Sequence, residues 1–170
     1  MYKLKVLEVL MIQLQVASFE DLAEILELQK AAYQSEAELY REIVIPPMTQ
    51  TLSELQEEYS NNTVYKLVYN ANIVGSVRVD QSNDTCYINK LCVHPSVQGQ
   101  GYGRLMMNEV ERQAMTCTRF ELFTGHRSLR NLNFYKRLGY TEFKQVMVND
   151  SLTLIYMEKV NVGGSTEPKG

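Results

Sequence analysis

The pattern of apolar and polar residues begins with a short strand and continues into helices. Residues 12–16 alternate apolar and polar side chains, which is typical of a half-buried strand. Ser18-Phe19-Glu20-Asp21 is a capping-box variant, and the apolar residues after it recur at helical spacing. Thr51-Leu52-Ser53-Glu54 is a second capping box. We therefore predict a strand, a helix ending near Tyr33, a less regular segment over residues 34–50 and a second short helix.

After Asn62 the pattern changes to period two and predicts three strands with short turns, which imply antiparallel hairpins. Helical spacing then returns twice, and Gly139 is expected to end the second of these helices in a left-handed cap. The predicted elements are strands 64–69, 73–80 and 85–93, helix 101–114, strand 120–123, helix 128–138, and strands 140–148 and 152–158. This order predicts an α/β (α+β) fold: a mixed, largely antiparallel sheet of about seven strands, flanked by about four helices.

Length and composition are ordinary for one globular domain, with 170 residues, 45% apolar and 22% charged. We expect this domain at residues 11–160, with residues 1–10 as an extension of open role and residues 161–170 as a flexible tail. The apolar run in the extension is too short and too interrupted for a membrane span or a signal segment. A net charge of −3 argues against a general nucleic-acid binder. Neither a membrane nor nucleic acid is therefore an expected partner.

The cysteines and histidines show no pattern typical of a metal site. Cys86, Cys92 and Cys117 form no Cys-x-x-Cys pair, and the chain has two histidines. We expect buried free thiols in a reducing cytoplasm and no bound metal.

Residues 91–105 carry the strongest functional signal of the sequence. An apolar strand end is followed by a proline, by glycines at alternate positions and by a helix start. A strand, a glycine-rich turn and a helix N-terminus together make an anion pocket, because the free N–H groups of the helix point at the ligand. The glycines alone are a weak signal, since neither a dinucleotide-binding motif after a first parallel strand nor a P-loop is present.

Two motifs in order give this pocket a chemical identity. Gln98-x-x-Gly101-x-Gly103, preceded by Leu91-Cys92-Val93-His94-Pro95, resembles motif A of the GNAT family of acyl-CoA-dependent N-acetyltransferases. Residues 128–140, which contain Asn131, Tyr135 and Gly139-Tyr140, resemble the family's motif B. The element order over residues 12–159 also matches the family. The resemblance implies a GNAT-like fold and an acetyltransferase that uses acetyl-CoA as cosubstrate.

The resemblance also implies which residues bind the cofactor. The strand end would bind the pantetheine arm and polarise the thioester near Val93, which is an oxyanion-type device. The N–H groups of the glycine turn would bind the pyrophosphate, and Arg104, Lys136 and Arg137 could offset its charge. The implied cofactor-binding residues are Leu91, Cys92, Val93, Gln98, Gly99, Gln100, Gly101, Tyr102, Gly103, Arg104, Ser128, Asn131 and Tyr135.

Tyr135 matches the family's general acid, which protonates the departing thiolate, although a tyrosine here could also simply pack its helix against the sheet. Ser128 departs from the family, since many members have Asn at that position.

The general base stays open. Many relatives have Glu where this chain has Asn89, and an amide cannot take a proton. The substitutes are a water held by Tyr87 or Asn89, or one of His94, His126, Glu36 and Glu38. Cys92 is expected to face the core rather than act as a nucleophile.

The expected acceptor is a primary amine, on a small molecule or a peptide, that attacks the thioester directly in a ternary complex. Residues 33–49 lie where the family's variable acceptor-binding segment sits, and their tyrosines and glutamates would suit a cationic amine or simply form a solvated helix face. The alternative from another class is a non-catalytic acyl-CoA-binding or sensing module, favoured by the missing carboxylate at Asn89. A mononucleotide-binding enzyme is a weaker rival. The oligomeric state stays open, with a homodimer among the options.

Overall fold

The computed structural model describes residues 11–164, so the predicted extension at residues 1–10 and residues 165–170 of the predicted tail lie outside the described residues. The strands are β1 Ile12–Val16, β2 Thr63–Tyr69, β3 Asn72–Ser82, β4 Thr85–Val93, β5 Arg119–Gly125, β6 Thr141–Met147 and β7 Thr153–Val160. The helices are α1 Leu22–Leu39, α2 Pro46–Thr49, α3 Leu52–Asn61, α4 Tyr102–Gln113 and α5 Leu129–Arg137. Short 3₁₀ turns occur at Phe19–Asp21, Pro95–Val97 and Val162–Gly164.

The strands form one seven-stranded sheet in the order β1-β2-β3-β4-β5-β7-β6. Neighbouring strands are antiparallel except for β4 and β5, which are parallel because α4 crosses over between them. The predicted mixed, largely antiparallel sheet is confirmed. Both capping boxes are present, with Asp21 accepting from the backbone N–H of Ser18 and Glu54 accepting from that of Thr51.

The prediction that the first helix ends near Tyr33 is wrong, because α1 continues to Leu39. Residues 34–39 contain good helix formers and neither glycine nor proline, so their weaker apolar periodicity does not stop the helix. The helix ends where buried Tyr40 leaves helical geometry, with a ψ of 56°. Residues 34–39, which belong to the segment predicted to be less regular, are therefore helical.

The two faces of the sheet carry different helices. Val77, Ile88 and Phe120 belong to the main apolar core, which includes residues of α4 and α5 such as Met106 and Leu132. The opposite face meets α1 and α3 in a smaller core. That core contains Ala17, Leu22, Ile25, Leu26, Leu55 and Val64.

A buried arginine fastens α1 to the sheet. Arg78 on β3 is only 2% exposed. Its guanidinium donates to Gln29 Oε1 on α1, to Gln50 Oε1 at 3.1 Å and to Glu58 Oε2 on α3 at 2.5 Å. Gln29 also donates to Gln50 Oε1 and to the carbonyl of Pro47. A buried cation needs such partners, so these bonds fix where α1 lies.

The centre of the sheet is open at one end. β4 and β5 are paired over Thr85–Tyr87 and Arg119–Glu121, and beyond these residues the two strands diverge. On the other side of β4, the register with β3 shifts between Ser76 and Arg78. Lys90, which lies opposite this irregularity on β4, has a φ of 52°. This β-bulge turns the end of β4 away from β5 and opens a gap between the strands.

Candidate active site

The end of β4 leaves backbone groups facing the gap. The N–H of His94 donates to Val74 O on β3 at 2.8 Å. Because backbone groups of successive residues point to opposite edges of a strand, the N–H of Val93 points away from β3, toward the gap. The Gln98 side chain donates from Nε2 to Val93 O at 3.0 Å and ties the following loop to the strand end.

The glycine loop has a backbone that requires glycine at two positions. Gly99 and Gly101 have φ angles of 78° and 86°, in the left-handed region that strains residues with a Cβ. A Cβ at either position would contact no described atom within 4 Å, so the requirement is conformational. Gly101 is also the N-cap of α4, which places the first N–H groups of that helix at the loop. Gly103 has another role, since a Cβ there would lie 3.3 Å from the Phe134 ring.

A cavity of about 370 Å³ lies where this loop, the end of β4, α1 and α5 meet. Every residue that the motifs assign to cofactor binding lines it, except Gln100 and Ser128. Gln100 is exposed, and Ser128 is buried with its hydroxyl donating to Glu36 on α1. Arg137, which we expected to offset the charge of the ligand, also lines it. The lining residues without a predicted role toward the cofactor are Ala32, Tyr33, Ser35, Glu36, Val97, Arg130 and Phe134.

Three arginines give the cavity a positive side. Arg104 at the start of α4 and Arg130 and Arg137 on α5 all contribute to its lining. Lys136, which we also expected to offset a ligand's charge, is paired with Glu142 at 3.1 Å and does not line the cavity. Together with a helix N-terminus, three guanidinium groups suit a ligand that carries several phosphates.

Tyr135 and Cys92 both lie in this cavity as neutral groups. Tyr135 is 8% exposed, and burial, followed by the nearby Glu36 and Cys92, raises the pKa of its phenol well above the usual value. Burial also raises the pKa of the Cys92 thiol to about 12, although nearby Arg78 opposes this. A thiol with such a pKa is a poor nucleophile at neutral pH, whereas a neutral phenol is able to donate a proton.

Both histidines have structural roles. Nδ1 of His94 accepts from the backbone N–H of Ser96 at 3.2 Å and caps the turn at Pro95–Val97. Nδ1 of His126 accepts from the backbone N–H of Thr153 at 3.0 Å and joins the end of β5 to β7. Neither histidine lines the cavity.

Glu36 does line the cavity, and Glu38 does not. Glu36 Oε1 accepts from Ser128 Oγ at 2.7 Å and from Asn131 Nδ2 at 3.2 Å, so it bridges α1 and α5. Glu38 is exposed to solvent. The sequence named both as candidate bases and had no means of choosing, because the choice depends on α1 remaining helical beyond Tyr33.

A second groove, of about 390 Å³, lies on the sheet where β4 and β5 begin to diverge. It is on the face that α1 and α3 cover, because Tyr87 and Asn89 pair with Asp80 and Arg78 across the strands. Its walls combine aromatic rings and carboxylates: Tyr87, Phe123, Tyr156, Asp80 and Glu121, with Ser82, Asn89 and Leu122 between them. Asp80 and Glu121 were not predicted as site residues, since in sequence they look like ordinary solvated positions.

Residues 11–164 contain neither a metal-binding cluster nor a membrane-spanning helix. No group of three or more His, Cys, Asp or Glu side chains in this part of the chain is placed to hold a metal ion. No helix within the same residues has the length and apolar character to cross a membrane.

Solved structures share this fold. The ribosomal-protein-S18-alanine N-acetyltransferase of Escherichia coli superposes with a TM-score of 0.73 at 12% identity, covering 94% of this chain and 99% of that one. The PaiA N-acetyltransferase of Thermoplasma acidophilum, in complex with coenzyme A, gives 0.72 at 15% identity, covering 88% and 98%. The spermidine N-acetyltransferase of Vibrio cholerae, in complex with CoA and spermine, gives 0.70 at 16% identity, covering 91% and 98%.

A sequence match to a family model identifies the family, which a similar fold at such low identity does not. No curated protein sequence matches the chain significantly. A family model described as an acetyltransferase (GNAT) domain matches residues 28–161, which include the end of β4, the glycine loop and Tyr135. The predicted family and fold class are confirmed, and the chain belongs to the GNAT acetyltransferase family.

Proposed function

We propose that the protein is an acetyl-CoA-dependent N-acetyltransferase that transfers the acetyl group to a primary amine by direct attack in a ternary complex. The observation that carries this proposal is that one cavity is lined by the glycine loop, by the diverging end of β4 and by Tyr135. The loop suits a pyrophosphate, the strand end suits an amide-rich arm, and the tyrosine lies beside both. A simple anion site would need only the first of these features.

The cofactor-binding roles follow from the chemistry of each part of the cavity. The N–H groups of residues 98–104 at the start of α4 would bind the pyrophosphate, with Arg104, Arg130 and Arg137 balancing phosphate charge. The backbone of Leu91 and Val93 would bind the pantetheine arm as a neighbouring strand does. Asn131 is a further polar contact, whereas Ser128 and Gln100 lie outside the lining and act at most indirectly.

In the reaction, the nitrogen of a neutral amine attacks the thioester carbonyl, and the Val93 N–H stabilises the oxyanion that forms. The carbon–sulfur bond then breaks, and the phenol of Tyr135 donates its proton to the leaving thiolate. The nitrogen gives up one of its two protons as the amide forms, and this proton restores the phenol. Acetyl-CoA and the amine become CoA and the acetylated amine, with no covalent intermediate on the enzyme.

The second groove, which lies where β4 and β5 diverge, would hold the acceptor and suits a cationic amine. Asp80 supplies negative charge, and Tyr87 and Phe123 supply ring faces that attract cations. Glu121 adds a carboxylate that Arg119 already pairs at 3.0 Å, and the Tyr156 ring already has Lys144 Nζ at 4.2 Å from its centroid. The solved spermidine N-acetyltransferase of Vibrio cholerae holds spermine, which is such a cation. We infer a small-molecule or peptide acceptor with at least one ammonium group besides the reacting one.

A thiol-release assay with acetyl-CoA across polyamines, amino sugars, amino acids and peptide N-termini tests the reaction. Tyr135→Phe should lower kcat by about 10²-fold or more while the Kd for CoA, measured by calorimetry, stays unchanged. Tyr59→Phe is the matched control, since its hydroxyl bonds to Ala17 O on the opposite side of the sheet. Equal turnover by the Tyr135 variant would remove that residue from the mechanism.

The amide at Asn89, where many relatives have a carboxylate, favours a second candidate: a non-catalytic module that binds acyl-CoA. Tight CoA binding by the wild-type protein without thiol release on any of these amines would support the module. A cytoplasmic location and a homodimer stay predictions.

A further inference from the structure

The reaction needs a base, because an amine with a pKa near 10 is mostly protonated at neutral pH and an ammonium group cannot attack. The position that carries a carboxylate in many relatives holds Asn89 here. The histidines use Nδ1 to hold backbone N–H groups, and Glu38 is exposed outside the cavity. Among the candidates that the sequence left open, Glu36 shares the cavity with Tyr135.

The Glu36 carboxylate is held firmly on one side only. Its Oε1 accepts from Ser128 Oγ and Asn131 Nδ2, and Ser128 is 1% exposed. Within residues 11–164, its Oε2 has no hydrogen-bond partner. One oxygen is therefore anchored, and the other keeps its lone pairs available for a group that enters the cavity.

Ser128 anchors the Glu36 carboxylate from the neighbouring helix. It is the N-cap residue of α5, and its buried hydroxyl donates to Glu36 Oε1 on α1 at 2.7 Å. Together with Asn131, it fixes the position of the carboxylate at the edge of the cavity.

We propose that Glu36 is the general base, which accepts a proton from the acceptor ammonium at Oε2 before the nitrogen attacks the thioester. This inference rests on the proposed function. The N–H bond of the ammonium breaks, the O–H bond of the Glu36 carboxylic acid forms, and the electron pair left on nitrogen becomes the nucleophile. The second nitrogen proton restores Tyr135 after that phenol has protonated the sulfur. Glu36 then returns its proton to solvent.

The groups around Glu36 support this division of roles. Tyr33 lies on its own helix and Tyr40 directly follows that helix, while Arg130 and Tyr135 are on α5 and Cys92 is on β4. The negative charge of Glu36 contributes to the raised pKa of Tyr135, so the base keeps the neighbouring acid protonated.

The test compares Glu36→Gln with Glu38→Gln, the matched control two residues further along the same helix. With acetyl-CoA and the best amine of the thiol-release screen, Glu36→Gln should lower kcat at pH 7 by about 10²- to 10⁴-fold. The Kd for CoA should stay within about twofold, because the glycine loop is untouched. The remaining rate should rise about tenfold per pH unit up to the pKa of the amine, since only the neutral amine reacts. Glu38→Gln should behave as the wild type.

Glu36→Asp keeps a carboxylate and guards against a Gln variant that fails to fold. It should retain the wild-type dependence of kcat/KM on pH at a lower rate. Turnover within threefold of the wild type in Glu36→Gln, or equal losses of kcat and CoA binding, would overturn the assignment of Glu36 while leaving the acetyltransferase intact. An inactive wild-type protein that binds CoA would overturn the proposed function, and the base with it.

Discussion

The glycine loop at residues 98–104 and the C-terminal half of α1 line the same cavity but are held in place by different means. The loop depends on its own backbone, through the left-handed φ angles of Gly99 and Gly101. The half helix depends on partners far away in the sequence. Glu36 bonds to Ser128, and Gln29, further back on α1, bonds to Arg78 on β3.

This difference implies that the two sides of the cavity respond separately to substitution. Loss of a distant partner should loosen α1 and leave the backbone of the glycine loop in place. A Cβ in the loop should damage ligand binding and leave α1 on the sheet. Substitutions at Arg78, Ser128, Gly101 and Gly103 test this separation.

Arg78→Met should lower the free energy of unfolding by about 3 kcal/mol, because it breaks a buried ion pair. This value is at the low end for such a change, since Glu58 is partly exposed and can be rehydrated. Urea denaturation measures the loss. Arg127→Met, which breaks an exposed pair with Glu42, should change stability far less. Equal effects of the two substitutions would mean that the buried network does not hold α1.

Ser128→Ala should lower the free energy of unfolding by about 1.5 kcal/mol, because it removes a hydrogen bond to a charged group between α1 and α5. The Kd for CoA should stay within about twofold, since the loop is not involved. Urea denaturation and calorimetry measure the two quantities. Ser53→Ala, at an exposed position on α3, is the control. A large loss of CoA affinity in Ser128→Ala would show that the two sides are coupled.

Gly101→Ala should lower the free energy of unfolding by about 1 kcal/mol, because alanine is strained at a φ of 86° although space is available for its Cβ. It should also weaken CoA binding about tenfold, since the N–H groups at the start of α4 would be re-aimed. Gly163→Ala is the control, because the nearest atom to its Cβ is Asn161 Oδ1 at 3.6 Å. An unchanged Kd for CoA in Gly101→Ala would show that the glycine loop does not bind the phosphates.

Gly103→Ala should have the smallest effect, below about 0.5 kcal/mol. The added Cβ would lie 3.3 Å from Phe134 Cζ, and the ring must shift slightly. The higher helix propensity of alanine offsets this cost. Thermal denaturation measures the net change, and a loss as large as that at Gly101 would mean that the Phe134 ring cannot move.

The loop side of the site could be predicted because its signal is local. Three alternate glycines after a strand end and before a helix indicate a backbone conformation that does not depend on the rest of the chain. The strands could also be predicted from the sequence, since period-two patterning and short turns define the hairpins. β4 occupies Thr85–Val93 as predicted.

The α1 side could not be predicted, for two physical reasons. Residues 34–39 are helical through propensity rather than through an apolar stripe, so their pattern looked irregular. The bonds from Arg78 to Gln29 and from Ser128 to Glu36 join residues 49 and 92 positions apart. Without the fold, Glu36 and Glu38 are equivalent acidic residues on a polar segment.

The divergence of β4 from β5 divides the sheet into two parts that share three backbone residue pairs. Four strands lie on one side of the seam and three on the other, and the ladder between them is incomplete. A ligand that lies in the gap and bonds to the free edge of β4 completes this ladder, so it acts as a structural element as well as a reactant. How firmly the two parts of the sheet are held together would then depend on the concentration of free ligand. A ligand that binds only the folded state raises the free energy of unfolding as its concentration increases.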